Sequence, residues 1–389
     1  MKIKRISHSR KAAAAVSLLA LPVAVSSCQI PDRPVWWPSE QAANRAASTV
    51  SATTATVLRV AKPWQPGLRQ LGIDVYWVAN PVDSATVIRA KARRIINYAV
   101  TLHANSISVS FPFYTYGVKS NTVYRSAKTT PTPQDIAIFL AEARKSRMRT
   151  MLRPILNEDI LYAAHAWRGS IEPANKAAWF KSYRQLLLPY AKVGAAGHLT
   201  TFVVGTELNS LETDSHWPAL IRAVRNVYAG QLAFDENTGD FQTHDDHLPL
   251  ATFGADAWPH IQLPDSATVV QLTDAWSKWL GSHTLAVRRK AILTEVGIRA
   301  MAGAYRNPAK WNGIGQPTIV TRIQTNWYRA LCGATQREHM GGINWWEVSF
   351  DADPAHPAAF WTDPFTFIGR PAQGVVSKCF MRLASLGKL

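Results

Sequence analysis

The sequence predicts an α/β fold, a (β/α)8 TIM barrel that forms a single domain over residues 67–389. Four observations support this fold class. Short apolar runs alternate with helical periodicities from residue 68 onward, eight such runs occur, and no internal repeat of solenoid type is present. No G-x-G-x-x-G follows the first run, which argues against a dinucleotide-binding sheet. The predicted strands are 72–77, 105–111, 148–154, 200–206, 231–235, 250–256, 290–295 and 341–346.

The segments between these strands have the periodicity and capping residues of amphipathic helices. In 84–101, apolar residues recur at helical spacing. Thr132 resembles an N-cap followed by a proline at the first helical position, and Asn175 is a second candidate cap. Further helices are predicted over 216–229, 266–280 and 318–332, ending at Gly230, Gly281 and Gly333.

The composition is that of a folded and basic protein. Of its 389 residues, 47% are hydrophobic and 15 are Trp, which excludes disorder over most of the chain. The length suffices to bury a large core without a disulfide or a metal. The net charge is +17. Such a charge permits loose binding to nucleic acid, anionic lipid or an anionic polymer, and it identifies none of them.

The first 28 residues have the features of an export signal. A basic segment precedes an apolar core that is too short to span a bilayer. The segment closes with Val25-Ser26-Ser27-Cys28, which resembles a bacterial lipobox. We therefore expect an extracytoplasmic protein whose Cys28 is lipidated and anchors it to the cell membrane. Simple secretion, with cleavage near Ala24, is the alternative.

Residues 29–66 are predicted to form a tether, because they are rich in Ala, Ser, Thr and Pro and show no convincing apolar period. Besides Cys28, the chain contains only Cys332 and Cys379. An exported location allows these two to form a disulfide, and two free buried thiols are the alternative. No cysteine or histidine cluster has the spacing of a zinc site, and we expect neither a metal nor a cofactor.

Two glutamates stand at the ends of two predicted strands. Phe202-Val203-Val204 leads into Glu207, and Ala291-Ile292-Leu293 leads into Glu295. In a barrel, chemistry occurs where the strands end and the βα-loops begin. An unpaired buried carboxylate is costly, so each glutamate either forms a salt bridge or has a function. Two carboxyls on strands 4 and 7 favour function.

A pair of carboxyl groups across a barrel mouth suits glycoside cleavage. One carboxyl stays protonated, since burial or a like charge raises its pKa, and it protonates the leaving oxygen. The other stays ionised and attacks the anomeric carbon. Aromatic side chains nearby would stack on the apolar faces of sugars.

The motifs resemble those of glycoside hydrolase family 113, a clan A family of retaining enzymes whose known members are β-mannanases. The similar segments cover roughly residues 70–375. They are 205–208, 294–297, 167–173, 179–183, 217–230 and 342–346. The resemblance implies a TIM barrel, with Glu207 as general acid/base and Glu295 as nucleophile.

The resemblance also implies a set of substrate-binding residues. Asn237 matches an asparagine near the bound sugar, and Asp256 begins a segment that matches Asp-Ala-Tyr on strand 6. Trp346 is the implied stacking platform under the sugar. Trp345 is the alternative, because neighbouring residues on a strand face opposite ways.

Two positions depart from the family pattern. Trp258 replaces a tyrosine, so the hydroxyl that could orient the nucleophile is missing, and an indole can donate but cannot accept a hydrogen bond. Arg153-Pro154-Ile155 stands where the family tends to have Lys-Pro-His. Ile155 removes a polar contact, for which Arg153, with Asn157 and Glu158 after it, could substitute. Both departures concern the identity of the substrate more than the type of reaction.

We therefore expect a monomeric, surface-anchored glycosidase that cleaves a β-linked polysaccharide with retention. By family resemblance, the first choice of substrate is β-1,4-mannan, cleaved internally, and nucleic acid is not an expected partner. The alternative is a non-catalytic lipoprotein that uses the barrel to bind a glycan or cell-wall polymer. A third hypothesis, an anionic wall polysaccharide as substrate, would give the positive charge a purpose.

Overall fold

The computed structural model describes residues 56–243, 248, 250, 252–310, 318–360 and 363–389. The predicted export signal, Cys28 and the tether up to residue 55 lie outside the described residues. In the described part of the chain, no helix is long and apolar enough to cross a membrane.

Eight parallel strands close into the predicted barrel. They run in chain order around it, and the first strand pairs with both the second and the last. A two-residue strand, β3, pairs antiparallel with the end of β2 and lies outside the barrel. The strands are β1 (Gln70–Tyr76), β2 (Ser106–Thr115), β3 (Val123–Tyr124), β4 (Arg149–Leu156), β5 (Thr201–Thr206), β6 (Gln231–Asn237), β7 (Thr252–Asp256), β8 (Ile292–Val296) and β9 (Gly342–Ser349).

Helices connect the strands and cover the outside of the barrel. The helices are α1 (Ala85–Thr101), α2 (Pro133–Ser146), α3 (Asp159–Tyr162), α4 (Lys176–Ala196), α5 (Trp217–Arg225), α6 (Thr238–Thr243), α7 (Val269–Leu280), α8 (Leu285–Arg288), α9 (Thr321–Arg337) and α10 (Pro371–Ser385). The predicted N-caps are confirmed, and Gly281 is the C-cap of α7 as predicted. Thr132 forms a capping box with Asp135, and Asn175 accepts from the backbone N–H of Ala178.

Three helices differ from the prediction. The helix predicted over 216–229 ends at Arg225 with Asn226 as its C-cap, so Gly230 does not cap it. The helix predicted over 318–332 continues through Gly333 to Arg337, since Gly333 packs close to Thr273 of α7 and keeps its helical conformation. Glycine at this position therefore serves helix packing and is not a cap. The helix α10 after the last strand was not predicted. It packs against α9, to which the disulfide between Cys332 and Cys379 joins it.

The interior of the barrel is largely polar, with a small apolar cluster of Met151, Val203 and Ala233, and its outer layer is apolar. Alternate residues of β2, such as Ile107 and Val109, face the helices, while Ser106, Ser108 and Ser110 are small and face inward. These serines leave room for longer polar side chains from the other strands. The chain therefore fills the barrel with hydrogen-bonding groups that can position a site at its open end.

The domain begins before residue 67, where the sequence placed its boundary. Val60 is buried and its N–H donates to the carbonyl of Ser146. The ring of Trp64 lies 3.8 Å from the guanidinium carbon of Arg149. The last part of the segment 29–66 thus covers the end of the barrel at which the strands begin.

Candidate active site

Glu207 follows β5 directly, at the end of the barrel where the strands finish. Its N–H donates to the carbonyl of Asp235 on β6, 2.8 Å away. Its φ of 51° lies in the left-handed region, which costs a non-glycine residue roughly 1–2 kcal/mol. This turn directs the side chain over the barrel mouth, where it is 12% exposed.

Glu295 lies within β8 and faces the same opening. Its Oε1 accepts a hydrogen bond from Arg153 at 2.9 Å, and its Oε2 accepts one from the indole N–H of Trp258 at 3.3 Å. Guanidinium and indole are donors only. Both carboxylate oxygens are therefore fixed by groups that match an ionised carboxylate.

Arg153 lies inside the barrel and does not contact the cleft, which corrects its assignment as a substrate-binding residue. Its side chain is 0% exposed. It pairs with Asp74 at 2.8 Å, with Asp235 at 2.5 Å and with Glu295, and it binds Asp256 through two hydrogen bonds of 2.7 and 2.9 Å. Arg153 occupies a position of β4 whose side chain points into the barrel, and it is therefore buried. It acts on the site through its contact with Glu295.

The carboxyl groups around Arg153 are too many for one positive charge. Burial raises the pKa of Asp74 to about 6, against the opposing effect of Arg153. Burial also raises the pKa of Asp256 well above its ordinary value, and Thr294 donates to it at 2.9 Å. Asp256 is fully buried, so its predicted contact with substrate is wrong as well. Its place is beneath the cleft, where it anchors Arg153.

Arg168 lies beside Glu207 and links it to a third carboxylate. Its Nη1 is 2.7 Å from Oε2 of Glu207, and its Nε is 3.0 Å from Oε1 of Glu158. Burial raises the pKa of Glu207 to about 7. Arg168 opposes this shift, while Glu295 and Glu158 add to it. Glu207 can therefore hold a proton near neutral pH in spite of its salt bridge.

A cleft of about 1360 Å3 lies above both glutamates. Glu207, Glu295, Asn237, Trp258 and Trp346 all line it. The cleft is larger than the roughly 300–1,000 Å3 of most small-molecule pockets. The structure therefore brings five of the predicted residues to one open site.

The alternation along β9 decides between the two tryptophans. Trp346 lies in the cleft floor with Tyr76, their ring centroids 5.7 Å apart, and packs with Ile155. Trp345 is fully buried against Tyr328 of α9, with centroids 4.3 Å apart. Trp346 is thus the candidate platform, and Trp345 belongs to the core.

Asn237 lies at the cleft wall with its amide already engaged. Its Oδ1 accepts from the N–H groups of Gly239 and Asp240, and its Nδ2 donates to Asp240 at 3.0 Å. These contacts fix the side chain at the start of α6. A sugar hydroxyl would meet an amide that is already oriented.

The family model described as Glycoside Hydrolase Family 113 matches residues 83–369, which is most of the chain. The chain belongs to glycoside hydrolase family 113. It is therefore a glycosidase of the TIM-barrel type, as the sequence motifs indicated. No curated protein matches this family 113 chain by sequence.

Solved structures show the same fold. A structure described as a complex of a GH113 β-1,4-mannanase has 17% identity and a TM-score of 0.66, and covers 81% of this chain and 99% of its own. The GH113 β-mannanase of Alicyclobacillus acidocaldarius, in complex with ManMIm, has 20% identity and a TM-score of 0.64, with 82% and 98% covered. The endo-1,4-β-D-mannanase of Thermotoga petrophila RKU-1 has 10% identity and a TM-score of 0.50, with 81% and 100% covered.

Sequence reasoning missed several groups of this family 113 site. Arg168 stands in a segment that was matched to the family, but no role was assigned to it. Tyr76 also lines the cleft and had been assigned no role, whereas Glu158, which lines it too, had been named with Arg153 as a possible polar contact. Both follow a common signal, since each lies at or just beyond the end of a predicted strand, where the polar side chains of a barrel converge.

We expect Arg153→Lys to lower kcat by roughly tenfold or more while KM changes little, because one ammonium cannot hold Glu295 and three aspartates together. The matched control is Arg149→Lys. Arg149 is a buried arginine on the same strand, but its hydrogen bonds go to Gln70, Thr201 and Gln231. Steady-state kinetics and thermal unfolding of both variants test this. Equal losses of stability with kcat unchanged in both would show that Arg153 is only structural.

Proposed function

We propose that this glycosidase cleaves β-1,4-mannan internally with retention, using Glu207 as general acid/base and Glu295 as nucleophile. The observation that carries the proposal is the contrast between two carboxyls in one cleft. Glu207 has a pKa raised to about 7, whereas Glu295 has both oxygens held by donors. Retaining glycosidases need this division between an acid and a nucleophile.

In the first step, Glu207 donates its proton to the glycosidic oxygen as that bond breaks. Glu295 forms a bond to the anomeric carbon, which gives a glycosyl-enzyme. In the second step, Glu207 takes a proton from water while the water oxygen displaces Glu295. Glu207 regains its proton and Glu295 its charge, so the site returns to its starting state.

Three features support a neutral β-mannan as the substrate. The structural relatives in the same family are described as β-mannanases. The cleft is open and large, which suits a polymer. Its floor is formed by Trp346 with Ile155, an apolar surface on which the face of a sugar can stack. Besides three cationic side chains, Arg168, Lys278 and Lys310, the cleft is lined by a larger set of five acidic groups, which disfavours an anionic polysaccharide. The acidic groups are Glu158, Asp159, Glu207, Asp274 and Glu295.

We also propose that the protein is exported and anchored through a lipid on Cys28. The lipobox-like sequence Val25-Ser26-Ser27-Cys28 supports this proposal. Such a location would bring the cleft to polysaccharides outside the cell.

The substrate proposal predicts new reducing ends from β-1,4-mannan, with oligosaccharides of several lengths appearing early. Proton NMR should show β-anomers formed first, because two displacements restore the configuration. Matched assays on β-1,4-glucan and β-1,4-xylan test the sugar. Early α-anomers would exclude retention. Calorimetric binding of mannan without any product would instead identify a glycan-binding protein.

For Glu295→Ala, we expect kcat to fall by roughly 10⁴-fold, because no group remains to attack the anomeric carbon. Added azide should restore part of the turnover of an activated aryl β-mannoside. The product should be the α-azide, since azide attacks in a single displacement. Glu347→Ala is the control for loss of a buried carboxyl near the site. Undiminished activity of Glu295→Ala would exclude this residue as the nucleophile.

The pH dependence tests the acid role of Glu207. Since Glu207 must be protonated, kcat/KM should fall as the pH rises through about 7. Arg168 lowers the pKa of Glu207, so Arg168→Gln should move this limb to higher pH. Glu158 raises that pKa, so Glu158→Gln should move the limb to lower pH. Shifts in the same direction for both variants would contradict the assignment.

A further inference from the structure

The end of the barrel opposite the cleft carries a cluster of exposed cations, which we call the basic face. It is formed by the loops that enter the strands, the last turns of the helices and both ends of the described domain. Its exposed cations are Arg59, Lys62, Arg144, Arg147, Arg225, Arg289, Lys290 and Lys388.

Contacts in the structure place these residues on one surface. Arg59, Arg144 and Arg147 line one hollow. Arg225 lines a second hollow with Trp64, and Arg144 and Arg147 line a third that also includes Trp64. Leu389 also lies here, because its N–H donates to the carbonyl of Gly67 at 2.8 Å. The basic face is therefore continuous around the start of the strands.

The acidic groups at this end are already neutralised. Among the described residues, Glu142 is bound by Arg89, Arg93 and Lys145, and Glu338 is bound by Arg288. None of the eight exposed cations forms an ion pair with a described carboxylate. The field of the basic face is thus uncompensated by the described residues and points away from the acidic cleft.

Helix dipoles account for only part of this charge. Arg144 and Arg225 lie in last helical turns, where a cation is stabilised by the negative end of the helix. Arg59, Lys62 and Lys388 lie outside any helix, and Lys290 follows α8 and precedes β8. These four cations need another explanation.

We propose that the basic face docks on an anionic phospholipid bilayer and turns the cleft away from it. The course of the chain favours a bilayer as the partner. The described chain begins at residue 56, and Arg59 and Lys62 of the basic face follow within six residues, so Cys28 precedes this face in the sequence. Cations near an anionic leaflet add their attractions, and the attraction decays within a Debye length of about 10 Å. The inference is independent of which glycan the enzyme cleaves.

The test measures binding to vesicles of phosphatidylglycerol with phosphatidylcholine, and to phosphatidylcholine alone. Every arm uses the full chain with Cys28→Ser, so that no lipid attaches and residues 1–55 are the same throughout. One variant adds Arg59→Gln, Lys62→Gln, Arg144→Gln and Lys290→Gln. The matched control loses the same charge elsewhere, through Lys119→Gln, Lys128→Gln, Lys181→Gln and Arg184→Gln.

We expect the basic-face variant to bind anionic vesicles at least about tenfold more weakly than the parent, and the control to bind like the parent. Higher salt should weaken the parent, and activity on soluble substrate should be unchanged in both. Hydrogen exchange on vesicles should slow at 59–62 and 287–290 and stay unchanged at 158–168. Equal binding by the two variants, or protection of the cleft loops, would overturn the proposal. So would binding to soluble polyglycerol phosphate but not to vesicles.

Discussion

The ion pairs of Arg153 are the interaction on which the site depends. A guanidinium offers five N–H donors in a fixed plane, and here they are used on groups from β1, β2, β6, β7 and β8. One side chain therefore links five strands of the barrel and fixes the position of Glu295. Desolvation makes such a cluster costly. The raised pKa values of Asp74 and Asp256 show how the protein limits that cost, since protons on these groups reduce the number of buried negative charges.

The same barrel mouth gives its two glutamates opposite environments. Arg153 contacts Glu295 from below, inside the barrel, whereas Arg168 contacts Glu207 from a loop. Arg168 shares its charge with Glu158, so it only partly offsets the burial of Glu207. A single unshared arginine would lower the pKa of Glu207 further and would remove the proton that a general acid needs. Glu158 thus contributes to the protonation of Glu207 from outside the pair of glutamates.

Much of the fold follows from the sequence, because apolar runs and caps are local signals. All eight predicted barrel strands are confirmed, as are the caps at Thr132 and Asn175. The direction in which a side chain points depends less on the local sequence. Side chains alternate along β9, so whether Trp345 or Trp346 faces the cleft is known only once the register of the strand is known. The position of Arg153 could likewise not be predicted from the sequence of its strand alone. Its carboxylate partners lie 79 to 142 residues away in the sequence, so only closure of the barrel brings them together. Gly333 shows the same limit, since its role depends on a neighbouring helix.

The distribution of charge agrees with the neutral polymer proposed as substrate. Eight exposed cations gather where the strands begin, and carboxyl groups gather where the strands end. A substrate in the cleft therefore meets five acidic groups, three cationic side chains (Arg168, Lys278 and Lys310) and aromatic floor groups, and not the cluster of cations at the opposite end. The net charge alone suggested an anionic substrate as one hypothesis. Because the cluster of exposed cations lies at the end of the barrel opposite the cleft, the net charge no longer supports that hypothesis. The two ends of the barrel are chemically separate surfaces, and substitutions at one end can change binding to an anionic surface while leaving the glutamates of the other undisturbed.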